Sequence, residues 1–189
     1  MELGIQSTDS WLQTVLDGFD AFLLDHAACE RKASGNALSL VAHYPDRLEL
    51  VSEMIRLARE ELDHFGQVYE VIAARGLQLG PDHKDAYLRE LRRVVRHGRE
   101  HYFLDRLLIA GIAEARGCER FERIAGTLSD AKLARFYSSL SQSEARHADL
   151  FVRLANTYFE PEAVSQRLES LLIDEAQIVA ELPLAAALH

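Results

Sequence analysis

Two Glu-x-x-His motifs, Glu61–His64 and Glu144–His147, are the residues of this sequence best suited to chemistry. Positions three apart on an α-helix share one face about one turn apart, so each glutamate and its histidine can bind the same metal ion. A glutamate in an apolar stretch precedes each motif at nearly the same distance: Glu30 by 31 residues and Glu114 by 30. The order Glu, then Glu-x-x-His, therefore occurs twice.

Four carboxylates and two imidazoles are the ligand set of a di-iron site inside a four-helix bundle. Hard, anionic oxygen ligands suit iron in its higher oxidation states and can bridge two ions, while imidazoles complete each coordination sphere. Iron is favoured over manganese, and Glu61 and Glu144 are the favoured bridges. We predict that two metal ions are bound by Glu30, Glu61, His64, Glu114, Glu144 and His147.

Two other glutamates compete for places in this set. Glu60 lies four residues before His64 and could also face it, but the second motif offers only the three-residue spacing, which favours Glu61. Glu119 follows Glu114 by five residues and would point about 140° away from it on a helix. The matched distance to the following Glu-x-x-His motif also favours Glu114.

Small residues lie one turn before each lone glutamate, at Ala27 and Gly111. They could leave room for a substrate or dioxygen, or they could permit close helix packing, and the sequence leaves both open. Five of the six other histidines, all without a matched partner, are expected to face solvent or to be satisfied by hydrogen bonds: His26, His43, His83, His97 and His101. The sequence contains no recognisable nucleophile motif or phosphate-binding loop.

The elements that must position the ligands are predicted to be helices throughout. Almost half of the residues are apolar, with only 10 Gly and 4 Pro in 189 residues, which favours an ordered helical protein. The first helix is expected over about residues 10–43, with a break near Gly18 or Ser34-Gly35. The second is expected from Pro45 to about residue 75, with Gly76 as its stop. The other three are expected over residues 100–127, from a cap at Ser129 to about 158, and from Pro161 to before Pro183.

The links between these helices indicate a topology. Short links near Tyr44 and Leu128 make two antiparallel pairs, whereas residues 77–99 form a longer connection that contains a basic, helical segment. A core helix of about 26 residues is about 39 Å long, a length that this connection can cross. We therefore predict an all-α, ferritin-like four-helix bundle, with a long crossover between helices two and three and an extra C-terminal helix, as a single domain over residues 1–189.

The formal net charge of −9 argues against a general polyanion binder, but one segment is strongly basic. It is either a solvated helix face or a surface that contacts RNA phosphates. Its candidate tRNA-binding residues are Arg89, Arg92, Arg93, Arg96 and Arg99. We predict a cytoplasmic protein without a membrane partner, because the sequence has only two cysteines, no apolar run of membrane-spanning length and no recognisable signal peptide.

Four segments resemble a known family: HAACERKASGNAL, AREELDHFGQVYEV, IAEARGCERFERIA and SEARHADLFVRLA. They are similar to the tRNA-2-methylthio-isopentenyladenosine hydroxylases, the MiaE family, over about residues 10–180. The resemblance implies a ferritin-like di-iron monooxygenase. It assigns ligand roles to the glutamate of CERKA, the pair in EELDH, the first glutamate of EARGCERF and the pair in SEARH, which are the six residues named above.

The resemblance also implies a reaction, namely hydroxylation of the isopentenyl group of 2-methylthio-isopentenyladenosine next to the tRNA anticodon. Dioxygen would be the co-substrate, an external reductase would supply electrons, and a monomer is favoured. A ferritin-like ferroxidase or a peroxide-consuming di-metal protein is the alternative, because both use the same types of ligand.

Overall fold

The structure is a computed structural model that describes residues 1–82 and 84–189. These residues form seven α-helices and no strand, which confirms the all-α prediction. Among them, no helix combines the length and apolar character needed to cross a membrane. The helices are α1 (Asp9–Asp17), α2 (Phe19–His43), α3 (Leu48–Ala74), α4 (Ala86–Arg93), α5 (Arg99–Thr127), α6 (Ala131–Tyr158) and α7 (Pro161–Glu181).

Two glycines break the helical pattern where the sequence predicts it. Gly18 separates α1 from α2, and α2 then runs without a break through Ser34 and Gly35. Gly76 has a φ of 73°, a left-handed conformation that favours glycine. The Leu77 N–H donates to the Ile72 carbonyl at 3.1 Å and the Gly76 N–H to the Ala73 carbonyl at 3.0 Å, so α3 ends in a Schellman motif.

Two predicted helix starts are wrong by a few residues. Pro45 lies in the turn after α2, and α3 begins only at Leu48. Asp130, rather than Ser129, caps α6, because its side chain accepts hydrogen bonds from the backbone N–H groups of Lys132 and Leu133. A carboxylate at this position also complements the positive end of the helix dipole.

The described chain divides into two compact units. One consists of Met1–Leu12, Lys84–Leu184 and His189, and the other of residues 13–82 and 185–188. In the latter, α2 packs along α3; in the former, α5 packs along α6, and α7 contacts α4, α5 and α6. The short links thus join the helix pairs that the sequence predicts, and the long connection with α4 joins α3 to α5.

Buried ion pairs brace the unit that contains α5 and α6. The Arg116 guanidinium, on α5, is fully buried and donates to both carboxylate oxygens of Glu175 on α7, at 2.9 and 3.1 Å. It also donates to Glu119 at 3.0 Å, and the Tyr87 hydroxyl of α4 donates to Glu175 at 3.1 Å. Glu119 in turn accepts hydrogen bonds from the backbone N–H and hydroxyl of Ser7. These contacts fix α4 and α7 on α5.

The unit that contains α2 and α3 has a largely apolar interior. The Ser34 hydroxyl donates to the Ala58 carbonyl at 2.7 Å and so links the two helices by a buried hydrogen bond. The ion pair between Arg75 and Asp20 in this unit is exposed to solvent at both side chains, unlike the buried ion pairs around Arg116. The fully buried apolar side chains here include Phe22, Leu23, Leu40, Leu50, Met54 and Ile72.

Candidate metal centre

The α2–α3 ligand cluster consists of Glu30, Glu61 and His64, and all three side chains are buried. One ligand atom from each lies within 4.8 Å of the others. The His64 Nδ1 atom is 3.2 Å from Oε2 of Glu61 and 3.7 Å from Oε2 of Glu30. The three-residue spacing on α3 therefore does place the glutamate and the histidine together, and α2 adds the lone glutamate.

The electrostatics of this cluster favour positive charge. Burial by itself lowers the pKa of the His64 imidazole, but hydrogen bonds and the negative charges of Glu30 and Glu61 outweigh that effect and raise this pKa to about 10. Two buried carboxylates side by side are costly unless a cation accompanies them. The protonated His64 imidazole provides such a cation, and a metal ion bound to the neutral imidazole would replace it.

His26 supports this cluster, and sequence reasoning did not assign it a place there. Its side chain is fully buried on α2, one turn before Glu30, and its Nε2–H donates to the Glu30 Oε1 atom at 2.7 Å. The expectation of a hydrogen-bonded histidine is met, and the four-residue spacing to Glu30 was the available signal. His83, another of the unmatched histidines, lies outside the described residues.

The α5–α6 ligand cluster consists of Glu114, Glu144 and His147. Glu144 and His147 are buried, Glu114 is half-buried, and one ligand atom from each lies within 4.8 Å of the others. The His147 Nδ1 atom is 3.6 Å from Oε2 of Glu144. Ala110 occupies the position one turn before Glu114, where the other cluster has His26.

Neighbours of the ligands also repeat in position but not in chemistry. Four residues after Glu30, the Ser34 hydroxyl bonds to the carbonyl three residues before Glu61. Four residues after Glu114, the Cys118 Sγ atom lies 3.6 Å from the hydroxyl of Ser141, which is three residues before Glu144. Each helix pair therefore has a polar link beside its ligands, and the link between α2 and α3 is the stronger of the two.

Gly111 is a site of close helix packing. A Cβ atom there would lie 3.1 Å from the Phe151 Cβ atom and 3.3 Å from the Ala148 carbonyl oxygen on α6. Even alanine would press on the neighbouring helix. Of the two roles that the sequence leaves open for this small residue, the structure supports packing.

The competing glutamates differ from the predicted ligands in their surroundings. Glu61 is fully buried, whereas Glu60 is only half-buried. Glu119 is engaged by Arg116 and Ser7, so its carboxylate has a structural role. The structure thus brings each predicted triplet together within its own helix pair, and the metal ligation by these residues stays a prediction.

The donor set of each cluster fits iron. Each supplies two carboxylates and one imidazole, which are hard and borderline ligands that suit Fe²⁺ and Fe³⁺. Glu30 is also oriented by the His26 hydrogen bond, as ligands of protein metal sites commonly are by a neighbouring group.

The predicted tRNA-binding arginines are not alike in their contacts. Arg89 and Arg93 form ion pairs with Glu90 on α4. Arg96 donates to the buried Asp105 on α5, with its Nη2 atom 2.7 Å from the carboxylate. Arg92 and Arg99 lie on the exposed surface.

Sequence comparison identifies the family of this chain. The sequence model of the family described as tRNA-(MS[2]IO[6]A)-hydroxylase (MiaE) matches residues 2–189. The chain belongs to the MiaE family. Two curated MiaE relatives carry the name tRNA 2-(methylsulfanyl)-N(6)-isopentenyladenosine(37) hydroxylase, and both align with almost the whole chain.

The relative from Pseudomonas putida is 38% identical over 177 residues, which are 94% of this chain and 86% of the relative. The relative from Salmonella typhimurium is 32% identical over 182 residues, 93% of this chain. The chain spans 65% of the length of that second relative, less than two thirds. The MiaE resemblance seen in the sequence motifs is therefore confirmed.

A solved structure also matches this MiaE-family chain. It is titled protein 43 with aldehyde deformylating oxygenase activity from Synechococcus, is 35% identical, and gives a TM-score of 0.94 over 99% of this chain and 94% of that one. The match confirms the predicted ferritin-like helical-bundle fold class.

Proposed function

We propose that this protein hydroxylates the isopentenyl group of 2-methylthio-isopentenyladenosine next to the anticodon of tRNA, with dioxygen as co-substrate. The observation that carries this proposal is the match to the MiaE family over residues 2–189. Two buried clusters of the ligand types that an oxygen-activating centre requires support it. A tRNA substrate implies that the protein acts in the cytoplasm.

The proposed cofactor is two iron ions, which the six residues of the two ligand clusters would hold. When bound, the iron would supply dioxygen activation, using two electrons from an external reductase. The chain's own residues have defined tasks in this scheme. The four carboxylates would offset the charge of the cations, and His64 and His147 would complete their coordination. His26 holds the Glu30 carboxylate in one orientation.

The apolar residues beside the ligands also have a task. Leu57 and Ala58 precede Glu61 on α3, Ala115 follows Glu114 on α5, and Ala148 follows His147 on α6, and all four are buried. Burial of these residues keeps water away from the helix segments that carry the ligands, and exclusion of water protects a reactive oxidant from side reactions. Apolar surroundings would also suit an isopentenyl group, which is a small branched hydrocarbon.

A second candidate reaction comes from the solved relative, whose title names aldehyde deformylating oxygenase activity. At 35% identity over 99% of this chain, it warrants a direct comparison, since the same metal ligands could serve both reactions. We favour tRNA hydroxylation because the family description and the names of both curated relatives specify it. Ferroxidase and peroxide-consuming activities are less favoured, although they would use the same types of ligand.

The experiment that tests the proposal is an assay with two alternative substrates. Iron-loaded, chemically reduced protein is mixed with air and either tRNA carrying the modified adenosine or an alkyl aldehyde. Nucleosides from the digested tRNA are analysed by mass spectrometry, and the aldehyde reaction by formate release. We expect one added oxygen on the prenylated adenosine and no formate above the level of iron-free protein.

Formate release without tRNA oxidation would instead assign the deformylating reaction. Iron oxidation and uptake without either product would assign a ferroxidase, and peroxide loss without either product would assign a peroxide-consuming enzyme. A Glu144→Gln variant treated with iron in the same way serves as a matched control, because the substitution removes one charge and keeps the size of the side chain.

A further inference from the structure

An exposed aromatic side chain lies among arginines at the start of α5. Arg99, Tyr102 and Arg106 follow each other at spacings of three and four residues, so they share one face of the helix. Tyr102 is 43% exposed. The Arg106 guanidinium carbon lies 5.9 Å from the centroid of the Tyr102 ring, within the range of a cation–π contact.

A buried carboxylate beside this face holds the preceding basic segment in place. Asp105 is fully buried and accepts hydrogen bonds from the backbone and guanidinium of Arg96, at 2.7–3.2 Å. It also accepts two from Arg167 on α7, at 2.9 and 2.8 Å, and Arg167 donates to the Val94 carbonyl at 2.7 Å. Both guanidinium groups lower the pKa of Asp105 although burial opposes this, so the carboxylate stays charged. The segment between α4 and α5 is therefore fixed on α5 and α7.

This arrangement divides the basic segment by role. The Arg96 guanidinium is used in holding the segment to Asp105. Arg92 and Arg93, at the exposed end of α4, and Arg99 at the start of α5 are placed at the surface. The fixed segment thus leads directly into exposed Arg99, which lies one turn before Tyr102 on α5.

An exposed aromatic ring with flanking arginines is the chemistry that recognises unpaired nucleotides. Bases that are not stacked in a loop can stack on tyrosine or on an arginine plane, while cations contact the phosphates. We infer that Tyr102 stacks against an unpaired base of the tRNA anticodon loop, with Arg99 and Arg106 beside the adjoining phosphates. This inference rests on the proposed function and adds a base-binding position to it.

The position of Tyr102 along α5 indicates which kind of base it contacts. Tyr102 precedes Glu114 by 12 residues, which corresponds to about 18 Å along the helix axis. A base on Tyr102 is therefore a few nucleotides away from one that reaches Glu114. Tyr102 stacks a neighbour of the modified adenosine, and not the modified base.

The test is RNA binding measured by fluorescence anisotropy, using an anticodon stem-loop that carries the modified adenosine. Loss of one base–aromatic stack predicts roughly 5- to 100-fold weaker binding by Tyr102→Ala. Tyr102→Phe keeps a stacking face and should bind within about twofold of the original protein.

Salt dependence separates stacking from charge. The slope of log affinity against log salt should be unchanged in Tyr102→Ala, because no phosphate contact is lost. In Arg99→Ala the slope should fall by about 0.7, the value for one phosphate contact on a single strand. A general structural defect would not produce this division.

Tyr69 on α3 provides a matched control, since it is 47% exposed and stacks on Phe65 within its own helix. Tyr69→Ala should leave RNA binding unchanged. A fully paired RNA duplex of the same length provides the second control, because it offers no unstacked base, and Tyr102→Ala should bind it as the original protein does. Melting temperatures verify that Tyr102→Ala and a second variant, Tyr102→Gln, are folded.

The outcomes distinguish this inference from the proposed function. Binding of the stem-loop by the original protein, with equal binding by folded Tyr102→Ala and Tyr102→Gln, would overturn the role of Tyr102 and leave the hydroxylase proposal standing. No binding of the modified stem-loop by the original protein would contradict both. Weaker binding by both variants with an unchanged salt slope would support the inference.

Discussion

The α2–α3 and α5–α6 ligand clusters use the same residue types at the same helical positions, but their supporting residues differ. The Glu30 carboxylate accepts a 2.7 Å hydrogen bond from buried His26, whereas Ala110 stands at the matching place before Glu114. The link between α2 and α3 is a serine hydroxyl bonded to a carbonyl, and that between α5 and α6 is a longer thiol–hydroxyl contact. The two clusters thus repeat the same ligand pattern but differ in the residues that support the ligands.

This difference indicates that the two clusters share one requirement and differ in others. The predicted ligands are the shared requirement, because each cluster would hold a cation with two carboxylates and one imidazole. In the α2–α3 cluster, the hydrogen bond from His26 orients the Glu30 carboxylate. We expect iron binding by this cluster to depend on that histidine.

The largest effect should come from removing one ligand of either cluster. Glu61→Ala and Glu144→Ala should each reduce hydroxylation by more than about 100-fold. This is a larger effect than the loss of a residue that only hydrogen-bonds to a metal ligand. Bound iron, measured by elemental analysis, should fall in both. Retention of full iron content and activity by either variant would exclude its cluster from the metal centre.

The next largest effect concerns stability and separates the two units. Glu175→Gln removes the charged partner that the fully buried Arg116 guanidinium has on α7 and leaves it with Glu119. This change should lower the free energy of unfolding by about 3 kcal/mol, the lower end of the range for a broken buried ion pair. Asp20→Asn removes the exposed ion pair with Arg75 in the other unit and should cost less than about 1 kcal/mol. Urea denaturation of both variants measures the difference, and equal losses would show that the buried network does not brace its unit.

Removal of the histidine behind Glu30 tests the inequality of the clusters directly. His26→Ala should weaken iron binding by about 10- to 100-fold, because the Glu30 carboxylate loses the group that orients it. His43→Ala is the control, since His43 is exposed at the far end of the same helix, where it contacts Ser39. The readout is iron affinity by competition with a chelator, and an unchanged affinity in His26→Ala would remove the proposed difference between the clusters.

The smallest effects should come from the links beside the ligands. Ser34→Ala deletes a buried 2.7 Å hydrogen bond and should cost about 1 kcal/mol of stability. Cys118→Ala deletes a weaker contact to Ser141 and should cost only about half as much, including its lost packing. Thermal unfolding of both variants measures the two losses of stability. A larger loss in Cys118→Ala than in Ser34→Ala would contradict this prediction.

The ligand candidates and most of the fold could be predicted from the sequence, because both depend on local helical periodicity. The three-residue spacing of the two motifs, the short links and the stop at Gly76 are each encoded within a few residues. The position of His26 was also within reach, since it lies four residues before Glu30 on the same helix face.

Contacts between distant residues could not be predicted in this way. The bonds of Asp105 with Arg167, 62 residues away, and of Arg116 with Glu175, 59 residues away, depend on how α7 packs on α5. No spacing rule connects such residues in one sequence. The assignment of the cap to Ser129 failed for a smaller reason, because Asp130 is an equally good cap one residue later.

The measurement that tests the central claim most directly is a single turnover in ¹⁸O-labelled dioxygen. Iron-loaded, reduced protein is mixed with tRNA that carries the prenylated adenosine, in parallel with Glu61→Ala and Glu144→Ala. We predict one labelled oxygen atom on the isopentenyl group with the original protein and none with either variant. An unlabelled or unmodified nucleoside from fully iron-loaded protein would contradict it, as would labelled product from a variant that lacks one cluster.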